Sequence, residues 1–125
     1  MYLHQELTHR IISAAIEVHR NLGPGLLEAV YRVCLGIELT ARGLTYQTEV
    51  AIPLLYKNAK IDHCFRLDFL VEDDVIIELK SLEKRLPVPK AQLLTYLRLS
   101  GKQVGLLINF NVPMLKNRDS SLYFE

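Results

Sequence analysis

Arg66-Leu67-Asp68-Phe69-Leu70-Val71-Glu72-Asp73-Asp74-Val75-Ile76-Ile77-Glu78-Leu79-Lys80 is the stretch on which the fold and the chemistry of this chain both turn. Two apolar runs flank an acidic turn, Glu72-Asp73-Asp74, and together read as a β-hairpin. With Val71 facing Val75 across the turn, Asp68 falls opposite Glu78, Leu67 opposite Leu79 and Phe69 opposite Ile77. A side-chain period of two then groups Leu67, Phe69 and Val71 with Val75, Ile77 and Leu79 on one face. Arg66, Asp68 and Leu70 share the other with Ile76, Glu78 and Lys80. Like charges directly opposite in a strand pair repel, so Asp68 and Glu78 call for a compensating cation. A magnesium or manganese ion suits a sparse carboxylate pair, because hard cations take oxygen ligands and retain several waters. The ordinary alternative is neutralisation by Lys80 or Arg66 on a solvated strand face. Against it, Val75 to Lys80 is otherwise wholly apolar, a setting in which Glu78 and Lys80 need a partner or a task.

Outward from the hairpin, the periodicity predicts a first helix over Leu7 to Arg20, with Leu7, Ile11, Ile12, Ala15, Ile16 and His19 at helical spacing. Asn21-Leu22-Gly23-Pro24-Gly25 stops it. A second helix spans Leu26 to Arg42, with Leu27, Val30, Cys34, Ile37 and Ala41 on one stripe and Gly43 as a left-handed cap. Tyr46 to Tyr56, rich in β-branched and aromatic residues, reads as a strand, and Lys57-Asn58 supplies turn chemistry. The hairpin strands run from about Ile61 to Val71 and from Val75 to Ser81. After a loop over Leu82 to Val88, Pro89 opens a third helix that ends at Ser100 before Gly101. Val104-Gly105-Leu106-Leu107-Ile108 is a continuous apolar run, as in a strand buried on both faces. The order is ααβββαβ.

The chain has 125 residues, half of them apolar, which suits one domain over 1–125 with a substantial core. A formal charge of +1 gives no global footprint for nucleic acid, so such a partner must meet a local patch or a metal. The two cysteines, Cys34 and Cys64, lack the spacing of a zinc site or disulfide framework and read as buried free thiols. No apolar run approaches the ~20 residues of a membrane helix, and a soluble cytoplasmic protein is expected.

Asp68, a hairpin turn and then Glu78-Leu79-Lys80 resemble the D…(E)xK signature of the PD-(D/E)XK nuclease superfamily. Gln92-Leu93-Leu94-Thr95-Tyr96 resembles the QxxxY motif that RecB-type members carry on the helix after that strand. Gly25-Leu26-Leu27-Glu28-Ala29-Val30-Tyr31-Arg32 matches the motif of the GxxExxxR protein family, a branch of small proteins in the same superfamily. The likeness extends from Glu17-Val18-His19 to Gly105-Leu106-Leu107-Ile108-Asn109-Phe110. It departs at Pro89, where the family pattern carries a histidine three residues before the glutamine. The resemblance implies an α/β fold: a restriction-endonuclease-like αβββαβ core with a central mixed four-stranded sheet flanked by helices, and an extra N-terminal helix.

It also implies roles. Glu28, Asp68, Glu78 and the Leu79 carbonyl would bind magnesium or manganese, Lys80 would orient or activate the attacking water, and Gln92 and Tyr96 would contact a phosphate, a base or Lys80. The metal would activate water and neutralise charge developing on the phosphate. Glu28 has a plainer reading, since Glu28 and Arg32 stand at i and i+4 and a helix N-terminus favours a carboxylate. Tyr96 can equally be a helix residue with its hydroxyl at the rim. His19, on the apolar stripe, is read as structural. Lys84, Arg85, Lys90, Arg98 and Lys102 could track a phosphate backbone or form a solvated face. The expected function is that of a metal-dependent nuclease acting on nucleic acid, DNA in the first instance. Its alternatives are a non-catalytic nucleic-acid-binding or protein-interaction module, and a small-molecule hydrolase. A chain this small exposes little surface for a duplex, so a homodimer or a partner protein is expected to complete it.

Overall fold

The computed structural model describes residues 5–82, 87–115 and 122–124; residues 63, 64, 87, 88 and 122–124 are described by backbone alone. Helix α1, Gln5–Leu22, turns Ile11, Ala14, Ala15 and Val18 into the core and ends where Gly23, at φ 72°, returns its N–H to the His19 carbonyl. Helix α2 covers Glu28–Ala41. Its buried face is Tyr31, Leu35 and Leu39, with Cys34 half-buried beside them, whereas Leu27, Val30 and Ile37 point outward. The stripe expected from the sequence is therefore largely the solvent face. The helix is apolar nearly all round, so periodicity cannot choose between its faces; docking of Tyr31, Leu35 and Leu39 at i, i+4, i+8 decides.

Strands β1 (Tyr46–Tyr56), β2 (Ala59–Val71), β3 (Val75–Lys80), β4 (Val104–Asn109) and β5 (Leu122–Phe124) form one mixed sheet in the order β1-β2-β3-β4-β5. The sheet thus has five strands rather than four, because the tail adds β5 antiparallel to β4. Lys57 and Asn58, both at positive φ (48° and 71°), close the β1–β2 hairpin with a two-residue turn whose twist matches the strands. Strand β3 runs antiparallel to β2 and parallel to β4, and helix α3 (Pro87–Ser100) makes the crossover between the parallel pair. Helices α1 and α2 cover one face of the sheet and α3 the other, giving two hydrophobic clusters. A methyl group on Gly105 would stand 2.8 Å from Leu93 Cδ1, so glycine there lets α3 lie close against β4.

The expected hairpin register holds for Phe69–Ile77, Leu70–Ile76 and Val71–Val75. One assignment of faces does not hold. Phe69 and Val71 pack with α1 and α2, but Leu67 joins Leu70, Ile76 and Leu93 on the α3 side. Pairing of β1 with β2 lapses between Thr48–Phe69 and Val50–Leu67, where Glu49 adopts φ 52°. This left-handed residue breaks the alternation of side chains, and the hairpin changes face at Asp68.

Candidate active site

The β2–β3 ladder gives way to a different linkage at Asp68 and Glu78. The Asp68 N–H donates to Glu78 Oε1 (2.9 Å), and the Leu79 N–H donates to Asp68 Oδ2 (2.7 Å). Each carboxylate thus accepts a main-chain hydrogen bond from the strand that carries the other. These two N–H donors offset part of the repulsion between the carboxylates. Glu78 is 4% exposed, and burial, followed by the charge of Asp68 and assisted by Glu28, pushes its carboxyl up to about 8. The Asp68 N–H and Lys80 act in the opposite sense without prevailing. A proton on Glu78 at neutral pH is therefore what lets two acids share this space.

Tyr96, 5% exposed on α3, stands with its ring edge-on to Phe65 at 5.6 Å between centroids. Burial raises its hydroxyl pKa, and the charges of Glu78 and then Asp68 raise it further. Lys80, half-buried at the end of β3, makes no ion pair among the described residues. Gln92 is half-buried and makes no side-chain hydrogen bond among them. Leu79 is buried. No group of three carboxylate, histidine or cysteine side chains among the described residues is gathered closely enough to hold a metal ion.

Glu28 is the first residue of α2 and is exposed. It has no cationic partner among the described residues, because Arg32 reaches across to Glu49 on β1 at 3.2 Å instead. The loop before it is tied down twice. The Tyr31 hydroxyl donates to the Gly23 carbonyl (2.6 Å) and accepts from the Leu26 N–H (3.2 Å), while the Ser81 hydroxyl donates to the Leu26 carbonyl (2.9 Å). Ser81 directly follows β3, so these bonds join the end of the site strand to the start of α2. Tyr31 is itself fixed by stacking on Phe110 at 4.3 Å.

Asn109 is a residue that the sequence reasoning missed. It is 5% exposed; its side chain accepts from the N–H groups of Leu82 (2.9 Å) and Asn111 (3.1 Å) and donates to the Leu82 carbonyl (2.8 Å). Together with the Phe110 N–H on the Lys80 carbonyl (2.9 Å), it clamps the chain immediately after Lys80. An amide closing an otherwise apolar buried run was the available signal. His19 is structural, as expected, with Nε2 2.8 Å from the Val112 carbonyl. Of the basic residues, Lys84 and Arg85 lie outside the described residues, and Lys102 pairs with Asp73 at 3.5 Å.

A family model described as the PD-(D/E)XK nuclease superfamily matches residues 5–120. No curated protein and no solved structure matches the chain significantly. No helix among the described residues is long and apolar enough to cross a membrane.

Proposed function

The chain belongs to the PD-(D/E)XK nuclease superfamily, and from that membership we propose that it is a magnesium- or manganese-dependent phosphodiesterase acting on nucleic acid, with DNA as its substrate class. The observation that carries this reading is the interlocked pair Asp68 and Glu78, two carboxylates held side by side, Glu78 buried and Asp68 half-buried. That donor set fits a hard divalent cation. Asp68, Glu78, the Leu79 carbonyl and, from α2, Glu28 are the groups that would hold it. When bound, the ion supplies charge neutralisation at the phosphate and an activated nucleophile.

The chain's own residues do the rest. Lys80, one strand position beyond Leu79, donates a hydrogen bond to the water that attacks phosphorus. Tyr96 and Gln92, four residues apart on α3, contact the phosphate. Tyr31, Ser81 and Asn109 hold the two chain segments that carry Glu28 and Lys80. Within the superfamily we assign the chain to the GxxExxxR branch. Each residue of that motif has a local role here: Gly25 adopts φ 95°, Glu28 opens α2, and Arg32 pairs with Glu49. A homodimer that completes the nucleic-acid surface belongs to the same reading, and monomeric sedimentation at high concentration would overturn that part.

The test is cleavage of linear, single-stranded, nicked and branched DNA with magnesium or manganese, by the wild type, Glu78→Ala and Lys80→Ala. Cleavage by the wild type alone is expected. A folded wild type that binds DNA without cutting it would instead establish a non-catalytic nucleic-acid-binding module.

A further inference from the structure

Strand β2 meets β3 over only three residue pairs, Phe69 to Val71, so the β1–β2 hairpin runs on alone beyond the site. From Glu49, which lies opposite Asp68, to Tyr56 at the tip is seven residues of β1, a reach of roughly 23 Å at ~3.3 Å per residue, while β2 takes up two more residues in the irregularity between Ile52 and Leu54. Ile52 packs with Leu93 and Tyr96 of α3, and just beyond it, between Ile52 and Leu54, the β1–β2 register shifts. Past the shift Leu54 pairs with Ile61 and Tyr56 with Ala59. The tip beyond the cover of α3 is bare, with Tyr56 60% exposed and Ile61 37%.

The tip also carries cations. Lys57 Nζ stands 5.5 Å from the centre of the Tyr56 ring. Lys60 is 67% exposed and only loosely paired with Asp62 at 3.9 Å. An exposed aromatic ring with Lys57 beside it, and Lys60 on the neighbouring cross-strand pair, complements a polyanion with flat bases rather than another apolar surface. Addition of a further β-strand is disfavoured, because the free edge of β1 contains Pro53 and the left-handed Glu49.

We infer that the hairpin tip is a second nucleic-acid contact, in which Tyr56 stacks on an unpaired base while Lys57 and Lys60 neutralise adjoining phosphates, tethering a single-stranded segment roughly 23 Å from the carboxylates. This rests on nucleic acid being the substrate, and it names the single-stranded or frayed part of that substrate as what the tip holds. Anisotropy of a fluorescein-labelled oligothymidylate, measured in EDTA so that nothing is cleaved, tests it. Tyr56→Ala should weaken binding about five- to 150-fold, the loss of one stacked base. Tyr56→Phe, which keeps the ring, should bind as the wild type does. Replacing both lysines with alanine should lower the slope of log affinity against log salt by about 1.4, or ~0.7 per phosphate. With cleavable substrate, Tyr56→Ala should raise KM and leave kcat unchanged.

Equal binding by the wild type and Tyr56→Ala overturns the tip contact and leaves the nuclease reading standing. Binding that depends on Tyr56 without any cleavage upholds the contact and removes the enzyme. Failure of the wild type to bind overturns the tip contact, and so does self-association that Tyr56→Ala abolishes, which would give the tip to a second copy; the cleavage test decides the nuclease reading separately.

Discussion

Asp68 and Glu78 are cross-linked through each other's strands: the Asp68 N–H is held by the Glu78 carboxyl at 2.9 Å, and the Asp68 carboxylate holds the N–H of Leu79 at 2.7 Å. The arrangement replaces one step of the β-ladder with two side-chain bonds. It leaves a carboxylate pair at the point where β2 and β3 stop pairing.

Removing the acceptor and removing the charge should therefore have different effects. Asp68→Ala leaves the buried Leu79 N–H unpaired and should cost about 1–3 kcal/mol in urea unfolding. Asp68→Asn keeps an acceptor but relieves the repulsion, so the Glu78 carboxyl should titrate closer to its ordinary value when followed by carbon-detected NMR. An unchanged Glu78 titration in Asp68→Asn would show that Asp68 does not act on it.

The pH dependence of stability follows from Glu78. In the unfolded chain it ionises near 4.5, whereas in the folded protein it keeps its proton up to about 8. Below the lower value both states are protonated and the contribution is fully present. As pH rises through the interval the unfolded state loses its proton first, and stability declines by on the order of a few kcal/mol. Glu78→Gln retains a carbonyl acceptor for the Asp68 N–H and should flatten this decline. Parallel wild-type and variant curves in urea unfolding between about pH 5 and about pH 8 would contradict the assignment.

Metal binding should displace that proton. Manganese or magnesium is expected to raise the melting temperature more at pH 8 than at pH 6 and to release close to one proton per ion at pH 6 but about half that at pH 8, read by calorimetry in buffers of different ionisation enthalpy. Asp68→Asn and Glu78→Gln should each weaken this response. A stabilisation that is independent of both residues would place the ion elsewhere.

The clamp on the α1–α2 loop can be tested without disturbing the carboxylates. Tyr31→Phe keeps the stacking on Phe110 but removes the hydroxyl bonded to Gly23 and Leu26. A loss of about 1–2 kcal/mol is expected. Weaker metal binding in the folded variant would show that Tyr31 positions Glu28; unchanged metal binding would confine it to stability.

Much of the fold was legible because local signals agreed. Turn residues bracket each strand of the hairpin, and the residues from Val75 to Ile77 and from Val104 to Ile108 are apolar enough to require a strand buried on both faces. The Asp68–Glu78 juxtaposition followed from counting outward from Val71 and Val75. What counting missed lies where alternation breaks: Leu67 changes face because Glu49 takes a left-handed conformation that no glycine announces. The outward turn of Val30 and Ile37 was hidden for a related reason, since a helix apolar nearly all round carries little preference between its faces.

By itself the sequence determined the order of elements, the hairpin register and the presence of two acids and a lysine at its open end, because these depend on spacing along one continuous strand pair. Only the tertiary structure decided what surrounds them. Tyr96 and Asn109 reach the ends of β3 from α3 and β4, Glu28 is brought in by a loop fastened to Ser81, and Glu78 is buried deeply enough to keep its proton. Each of these depends on desolvation and contact between segments distant in sequence, quantities that residue spacing does not contain.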